Sequence, residues 1–365
     1  MWQGVFGPLG KDMKILVVTD AWHPQVNGVV RTLGQVAREA AGFGVDIEFL
    51  GPSEFRTLPM PSYPEIRLAL AGWGAMERRL DAIRPDAIHI ATEGPLGHAM
   101  RRVCIRRRLP FTTSFHTRFP DYVSERVTFA PRWSSDLTWA WLRRFHSQAA
   151  AVLAATPTLV HELEGRGFKN VKLWQRGVDG QLFHPGRKLA PGHALANLPR
   201  PIFLTVGRVA VEKNLEAFLK LDLPGTKLVV GDGPARGYLS KTYPDAVFAG
   251  AKHGEELADI YASSDVFVFP SLTDTFGLVL LEALASGVPV AAFPADAPRD
   301  VIGSAPVGCL DHDLRRACLG ALDLDKAACR TFAEGLTWEA TARTFVKHVT
   351  EATQKPRRRR DRMAA

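Results

Sequence analysis

Short apolar strands alternate with helix-length segments along nearly the whole chain, in two separate series. Lys14-Ile-Leu-Val-Val-Thr19, Val45-Asp-Ile-Glu-Phe-Leu50, Asp86-Ala-Ile-His-Ile-Ala91, Phe111-Thr-Thr-Ser-Phe115 and Ala151-Val-Leu-Ala-Ala155 form the first, with helical stretches such as 29–41 and 96–108 between them. The pattern breaks over Gly186 to Pro201, where glycines and prolines crowd together, and this stretch reads as a linker. Ile202-Phe-Leu-Thr-Val206, Lys227-Leu-Val-Val230, Val266-Phe-Val-Phe269 and Val288-Pro-Val-Ala-Ala-Phe293 form the second series, with helices expected to start near Glu212, Pro234, Gly254 and Gly277. Such alternation builds parallel, doubly wound sheets. The sequence therefore predicts an α/β protein with two Rossmann-like domains, 14–186 and 201–336, joined by a linker at 187–200. Ligands of open α/β sheets sit at the carboxyl ends of the strands, which makes a cleft between the two domains the expected site. A last helix over 337–354 carries Trp338, Phe345 and Val349 on one side and is expected to cross back to the first domain. Residues 1–13 read as an N-terminal extension, with Met13 as a second candidate start, and 355–365 as a basic disordered tail.

A chain of 365 residues with 46% apolar and 23% charged residues has enough apolar material for two cores. No apolar run reaches the ~18 residues that a membrane-spanning helix needs. The first residues lack the basic start and apolar stretch of a signal peptide. Cys104, Cys309, Cys318 and Cys329 show no paired spacing, so they read as reduced thiols of a cytosolic protein, and no Cys/His cluster suggests a metal. The net charge of +8 is concentrated in Arg101-Arg102, Arg106-Arg107-Arg108, Arg143-Arg144 and the tail Lys355-Pro-Arg357-Arg358-Arg359-Arg360. Such clusters suit phosphate-bearing partners, anionic lipid or nucleic acid, or else are solvated helix faces. No nucleic-acid-binding motif accompanies them, so no nucleic-acid partner is expected.

Two stretches carry chemistry. In Thr205-Val-Gly207-Arg208-Val-Ala-Val-Glu212-Lys213-Asn214 a strand ends, Gly207 allows a sharp turn, and two cations follow before a helix. Arg208 and Lys213 on such a loop suit a diphosphate, with Arg gripping oxygens bidentately and Lys adding a compact charge; a plain surface loop accounts for them equally. In Phe269-Pro-Ser271-Leu-Thr-Asp274-Thr-Phe276-Gly277-Leu278, a polar loop leads into a glycine-initiated helix whose first amides, around Phe276, Gly277 and Leu278, are placed to meet an anion. Glu282 lies in that helix among apolar residues, about 7 Å along its axis from the start. A wet helix stripe would bring polar residues at 279, 280 or 283, and there are none. Glu282 is therefore read as reaching a ribose while phosphates sit at the helix end. Asp311-His312-Asp313 has the look of a metal motif, but its place before a helix favours N-capping.

Gly207-Arg208-x-x-x-Glu212-Lys213-Asn214, Gly231-Asp232-Gly233-Pro234 and Ser271-x-x-Asp274-x-Phe276-Gly277-Leu278-x-x-x-Glu282-Ala-x-Ala-x-Gly287-x-Pro289-Val290 stand in the order and spacing of a known set. Together they resemble the donor-site motifs of glycosyltransferase family four. The first half agrees: Asp20-Ala-Trp-His-Pro24-Gln-Val-Asn27-Gly28 resembles the family's first glycine loop, Phe115-His116-Thr117 its central histidine, and Trp174 to Pro185 its approach to the linker. Within the family the chain looks most like the lipid glycosyltransferases, which include GDP-mannose-dependent mannosyltransferases, sulfoquinovosyl transferases and diacylglycerol glucosyltransferases. The resemblance implies the GT-B fold, two Rossmann-like domains with parallel sheets facing a deep cleft. It also implies a retaining, metal-independent hexosyl transfer from a GDP-mannose or UDP-glucose type of donor, with no cofactor, to a hydroxyl of a membrane lipid or glycolipid.

By the same resemblance Arg208 and Lys213 stabilise the departing diphosphate, His116 hydrogen-bonds the donor sugar, Asp274 completes the catalytic set, and Gly28, Gly207, Gly231, Gly233, Phe276, Gly277, Leu278 and Glu282 bind the donor. Two departures stand out. Asp274 takes the place of the family's first glutamate and is one methylene shorter, so sugar contact is expected through its backbone or water; Asn27-Gly28 replaces a pair of glycines. For the acceptor side, Arg106, Arg107, Trp139, Trp141, Arg143 and Arg144 give the mixture of aromatics and cations found in interfacial helices, although core tryptophans beside solvated arginines fit as well. The expected location is the cytoplasmic face of a membrane, peripherally bound. A nucleotide-sugar epimerase or a phosphorylase on the same architecture, or a non-catalytic nucleotide-binding scaffold, are the alternatives.

Overall fold

The computed structural model describes residues 13–23, 25, 27–60, 63–116 and 132–354; the expected N-terminal extension, the basic tail, Pro24 and Thr117 lie outside them. The chain forms two compact units, one of residues up to 116, 132–175 and 339 onward, the other of 176–338.

In the first unit the strands β1 (Met13–Val18), β2 (Val45–Leu50), β5 (Ala87–Ile90), β6 (Thr112–Phe115), β7 (Ala151–Ala154) and β8 (Val171–Leu173) form one parallel sheet in the order β2-β1-β5-β6-β7-β8. Successive side chains of a strand point to opposite faces. Leu16, Val18, Ile88, Ile90, Val152 and Ala154 accordingly enter one core, and Ile15, Val17, Ala87, Ala151 and Leu153 the other. The second core is completed by Leu33, Val36 and Ala40 of the helix Gly28–Ala41 and by Ala342, Phe345, Val346, Val349 and Ala352 of the last helix, Trp338–Gln354. That apolar stripe explains why the end of the chain belongs to the first unit. A hairpin of β3 (Thr57–Met60) and β4 (Tyr63–Ala69) adds an antiparallel pair that the alternation gave no sign of.

The second unit repeats the plan. Its strands β9 (Ile202–Val206), β10 (Thr226–Val230), β11 (Val247–Gly250), β12 (Val266–Phe269), β13 (Val290–Ala292) and β14 (Gly308–Leu310) are all parallel, in the order β11-β10-β9-β12-β13-β14. Leu204, Leu228, Phe267 and Val290 face one core, and Phe203, Val229, Val266, Val268 and Ala291 the other.

The chain passes between units at Gln175–Arg176, ahead of the linker expected at 187–200. The reason is packing: Val178, Phe183 and Leu195 are buried in the core of the second unit, while Arg187 and Arg200 pair with Asp259 (2.7 Å) and Asp265 (2.8 Å). Glycine and proline content marked an irregular segment there, but a docked one. Among the described residues no helix is long and apolar enough to cross a membrane.

Candidate active site

In the second sheet the chain starts at β9, builds β10 and β11 on one side, and then crosses to β12 on the other. The loops leaving the carboxyl ends of β9 and β12 therefore flank the point where strand order reverses, the place where open α/β sheets bind ligands. Those loops are 207–214, which carries Arg208 and Lys213, and 270–277, which carries Asp274 and leads into the helix Leu278–Ala285.

Three contacts tie the loops to each other. Asn214, whose φ of 51° ends the 3-10 turn Val211–Lys213, donates its amide to Pro270 O (3.1 Å). This turn displaces the expected helix start from Glu212 to Leu215. Ser271 Oγ donates to Glu212 O (3.4 Å), and Lys213 Nζ meets Asp274 Oδ1 at 2.5 Å. Asp274 Oδ2 is buried and has no hydrogen-bond partner. Gly277 enters the helix with φ 76° and brings no side chain of its own to cap it. The first amides of a helix have no intrahelical acceptor, so those at this end are candidates to meet a ligand.

The loop after β9 lies along the one after β10, with Gly207 N donating to Val230 O (3.0 Å) and Val209 N to Asp232 O (2.9 Å). A Cβ on Gly231 would stand 1.8 Å from Gly207 O, and one on Gly233 2.5 Å from Val209 O. Both glycines, read as donor-binding, have a packing requirement of their own: they let the Arg208 loop approach. Arg208 is half-buried on this loop, and Phe276 packs against the core of the second unit.

Glu282 is 3% exposed and set among Leu280, Leu281, Ala283 and Leu284. Its Oε2 accepts a hydrogen bond of 3.1 Å from Tyr261 Oη, on the helix Gly254–Ala262. Tyr261 is fully buried, with its ring edge-on to Phe183. This partner went unread in the sequence, because Leu257, Ala258 and Tyr261 at helical spacing look like a plain core stripe.

The corresponding switch point of the first unit, between β1 and β5, is built differently. There the helix Pro95–Arg107 is closed by Asp20, whose Oδ1 accepts from Leu96 N (2.9 Å) and Oδ2 from Gly97 N (3.3 Å) and Thr92 Oγ1 (2.9 Å). Burial lifts the Asp20 carboxyl above its usual range, although these hydrogen bonds pull it back. Asn27 Oδ1 likewise caps Gly28–Ala41, accepting from Val29 N and Val30 N at 3.0 Å. The protein's own side chains fill these helix ends. Gly28 opens its helix with nothing within 4 Å of an added Cβ, and His116 follows β6 with its ring 6.0 Å from that of Trp174. The expected acid motif resolves as capping: Asp313 accepts from Arg315 N (3.0 Å) and Arg316 N (3.3 Å), while Arg316 and the Asp313 amide hold Asp311 down to about 2.

The acceptor candidates separate. Trp139 belongs to the core of the first unit, stacked 5.9 Å from Phe115 and covered by Arg166 at 3.9 Å, and is not a surface residue. On the helix Arg132–His146 the positions 139, 142 and 145 turn inward, leaving Leu137 and Trp141 60% and 41% exposed and Arg143 and Arg144 in solvent. Arg107 is paired with Asp81 and Glu77, and Arg106 lies 4.4 Å above the Trp73 ring. Arg107 thus has its charge balanced locally.

Paired Rossmann-like units, the second with Lys213 and a glycine-initiated helix at its switch point, form the GT-B plan. Sequence comparison agrees: Glycosyltransferase Family 4 matches residues 26–182, and Glycosyl transferases group 1 matches 200–317. A GDP-mannose-dependent alpha-mannosyltransferase of Mycobacterium tuberculosis is 31% identical over 334 residues, 83% of this chain and 86% of that protein. A sulfoquinovosyl transferase of Arabidopsis thaliana is 33% identical over 71% of this chain and 53% of its own length. Among solved structures, sucrose-phosphate synthase of Thermosynechococcus elongatus superposes with a TM-score of 0.72 at 20% identity, covering 93% of this chain and 98% of that one. The chain belongs to glycosyltransferase family four and is a hexosyltransferase.

Proposed function

We propose that the protein transfers a hexosyl group, with retention and without a metal, from a GDP-mannose or UDP-glucose type of donor to a hydroxyl of a membrane lipid or glycolipid. The observation that carries the donor half of this reading is the contrast between the two switch points. The first unit closes its helix end with the Asp20 carboxylate, whereas the second starts the Leu278 helix at a glycine without a side chain, with Lys213 reaching the loop that leads into it. An anionic diphosphate is favoured there and disfavoured beside the Asp20 carboxylate.

In this reading the diphosphate lies on the 207–214 loop and the Leu278 amides, with Glu282 on the ribose. As the bond from the sugar's anomeric carbon to the phosphate oxygen breaks, Arg208 and Lys213 meet the growing negative charge, the task a divalent ion performs elsewhere. The acceptor oxygen bonds to the same face of the anomeric carbon, and its proton passes to an oxygen of the departing phosphate. His116 is assigned to the donor sugar, and Gly28 to close backbone approach of the donor. The relatives' names point to the donated sugar, mannose from GDP-mannose or sulfoquinovose, and an alpha-monoglucosyldiacylglycerol synthase of Streptococcus pneumoniae, 26% identical over 93% of this chain, names a lipid product.

The test is a screen of UDP- and GDP-sugars against extracted lipids with chelator present. Radiolabelled glycolipid formed at full rate is the expected result. Product that appears only when a divalent ion is restored would overturn the metal-free chemistry, and nucleotide release without any acceptor would favour an epimerase or hydrolase.

In this reading the acceptor side uses exposed Leu137 and Trp141 with Arg106, Arg143 and Arg144 to meet an anionic membrane, and the free cysteines Cys104, Cys309, Cys318 and Cys329 suit its reducing, cytoplasmic face. Each basic residue near such a surface contributes about 1 kcal/mol. Replacing Arg106, Arg108, Arg143 and Arg144 by glutamine is therefore expected to weaken binding to phosphatidylserine-containing vesicles about tenfold or more. Unchanged binding in a sedimentation assay would remove this contact.

A further inference from the structure

The ion pair inside the candidate donor site has a consequence for how that site empties. Lys213 Nζ and Asp274 Oδ1 are 2.5 Å apart, with side chains 29% and 22% exposed. Their loops are fixed to each other by Asn214 to Pro270 O and by Ser271 to Glu212 O, so the pair does not need loop movement to form. A lysine that neutralises a diphosphate has first to leave this carboxylate. A carboxylate beside the leaving group also opposes the negative charge of a bound phosphate.

We propose that Asp274 is a positioning residue that competes with the nucleotide diphosphate for Lys213, holding the lysine in the empty site and taking it back once the sugar has been transferred, which speeds product release. The inference rests on the diphosphate reading of the loop above. The aspartate suits this task, since in this chain it already reaches the lysine without displacing either loop. Competition of this kind lowers apparent affinity by the fraction of molecules in which Lys213 is disengaged. If the pair is closed in most empty molecules, that factor is roughly five to ten.

The experiment is titration calorimetry with UDP and with GDP, without donor sugar, on the full chain. Asp274→Asn keeps the size of the side chain and removes its charge, and is expected to bind the diphosphate that the wild type prefers roughly five- to tenfold more tightly. Asp274→Glu keeps the charge and is expected to stay within about twofold of wild type. The gain should vanish in the double variant Lys213→Ala/Asp274→Asn, a coupling that a merely structural aspartate would not give. Single-turnover kinetics complete the picture: in Asp274→Asn, product release slows relative to chemistry. Equal or weaker diphosphate binding by a folded Asp274→Asn protein overturns the competition. A wild-type protein that binds neither UDP nor GDP overturns the diphosphate reading itself, and the competition with it.

Discussion

Lys213→Ala is expected to lower kcat by about 10²- to 10³-fold, the size of loss seen when a preorganised charge facing a developing anion is removed. Lys213 stands on the loop leaving the central strand of the second sheet, in reach of Asp274 and beside the Leu278 helix end. A flexible surface lysine would not behave this way, because solvent would replace its charge at little cost. Here its loop is fixed by Asn214 on Pro270 O, so once the lysine has passed from Asp274 to the bound diphosphate little further reorganisation is needed as the phosphate charge grows. The pair is about one-quarter exposed, and its loss is expected to cost roughly 1 kcal/mol of stability. That shifts the melting temperature by about 2–4 °C, which separates lost chemistry from lost fold. Lys213→Arg retains charge but replaces a compact ammonium by a planar fork, and should recover only part of the rate. Wild-type turnover by Lys213→Ala in the donor screen would end the assignment of this lysine to the leaving group.

Why some of this was legible in the sequence and some was not follows from sequence separation. Strand runs such as Ile15 to Val18 are buried on both faces, so they stand out as continuous apolar blocks, and the two sheets follow from them. The loops with Arg208 and Asp274 are equally visible, since each is a contiguous stretch between a strand and a helix. Contacts between distant residues leave no such trace. Lys213 meets Asp274 across 61 positions, and Asp20 closes a helix 76 positions away. Trp139 and Trp141 differ by only two positions, yet on a helix that step is enough to turn one into the core and the other into solvent. The unit boundary was hidden for a related reason: Val178, Phe183 and Leu195 are too sparse to form a periodic pattern, and only their burial shows which core they serve.

Glu282→Ala is expected to raise the donor KM about tenfold or more, with a smaller change in kcat, because a ribose contact made equally in ground and transition states is uniform binding. The substitution has a second effect that must be separated from the first. It deprives the buried Tyr261 Oη of its acceptor, which costs about 1–3 kcal/mol. Glu282→Gln preserves an oxygen for Tyr261 and the volume among Leu280, Leu281 and Leu284, so it isolates the charge. Tyr261→Phe does the reverse: the ring keeps its contact with Phe183 while the carboxylate loses one hydrogen bond. If the hydroxyl holds Glu282 toward the nucleotide, Tyr261→Phe should raise the donor KM roughly three- to fivefold, with kcat and acceptor KM nearly unchanged. A buried carboxylate with a purely structural task would respond differently: both variants would melt earlier and bind donor normally once folded. Steady-state kinetics in donor and acceptor, read beside thermal melts, decide between these outcomes. A normal donor KM in both Glu282→Ala and Glu282→Gln would take the ribose away from this residue and leave the carboxylate as a brace between two helices.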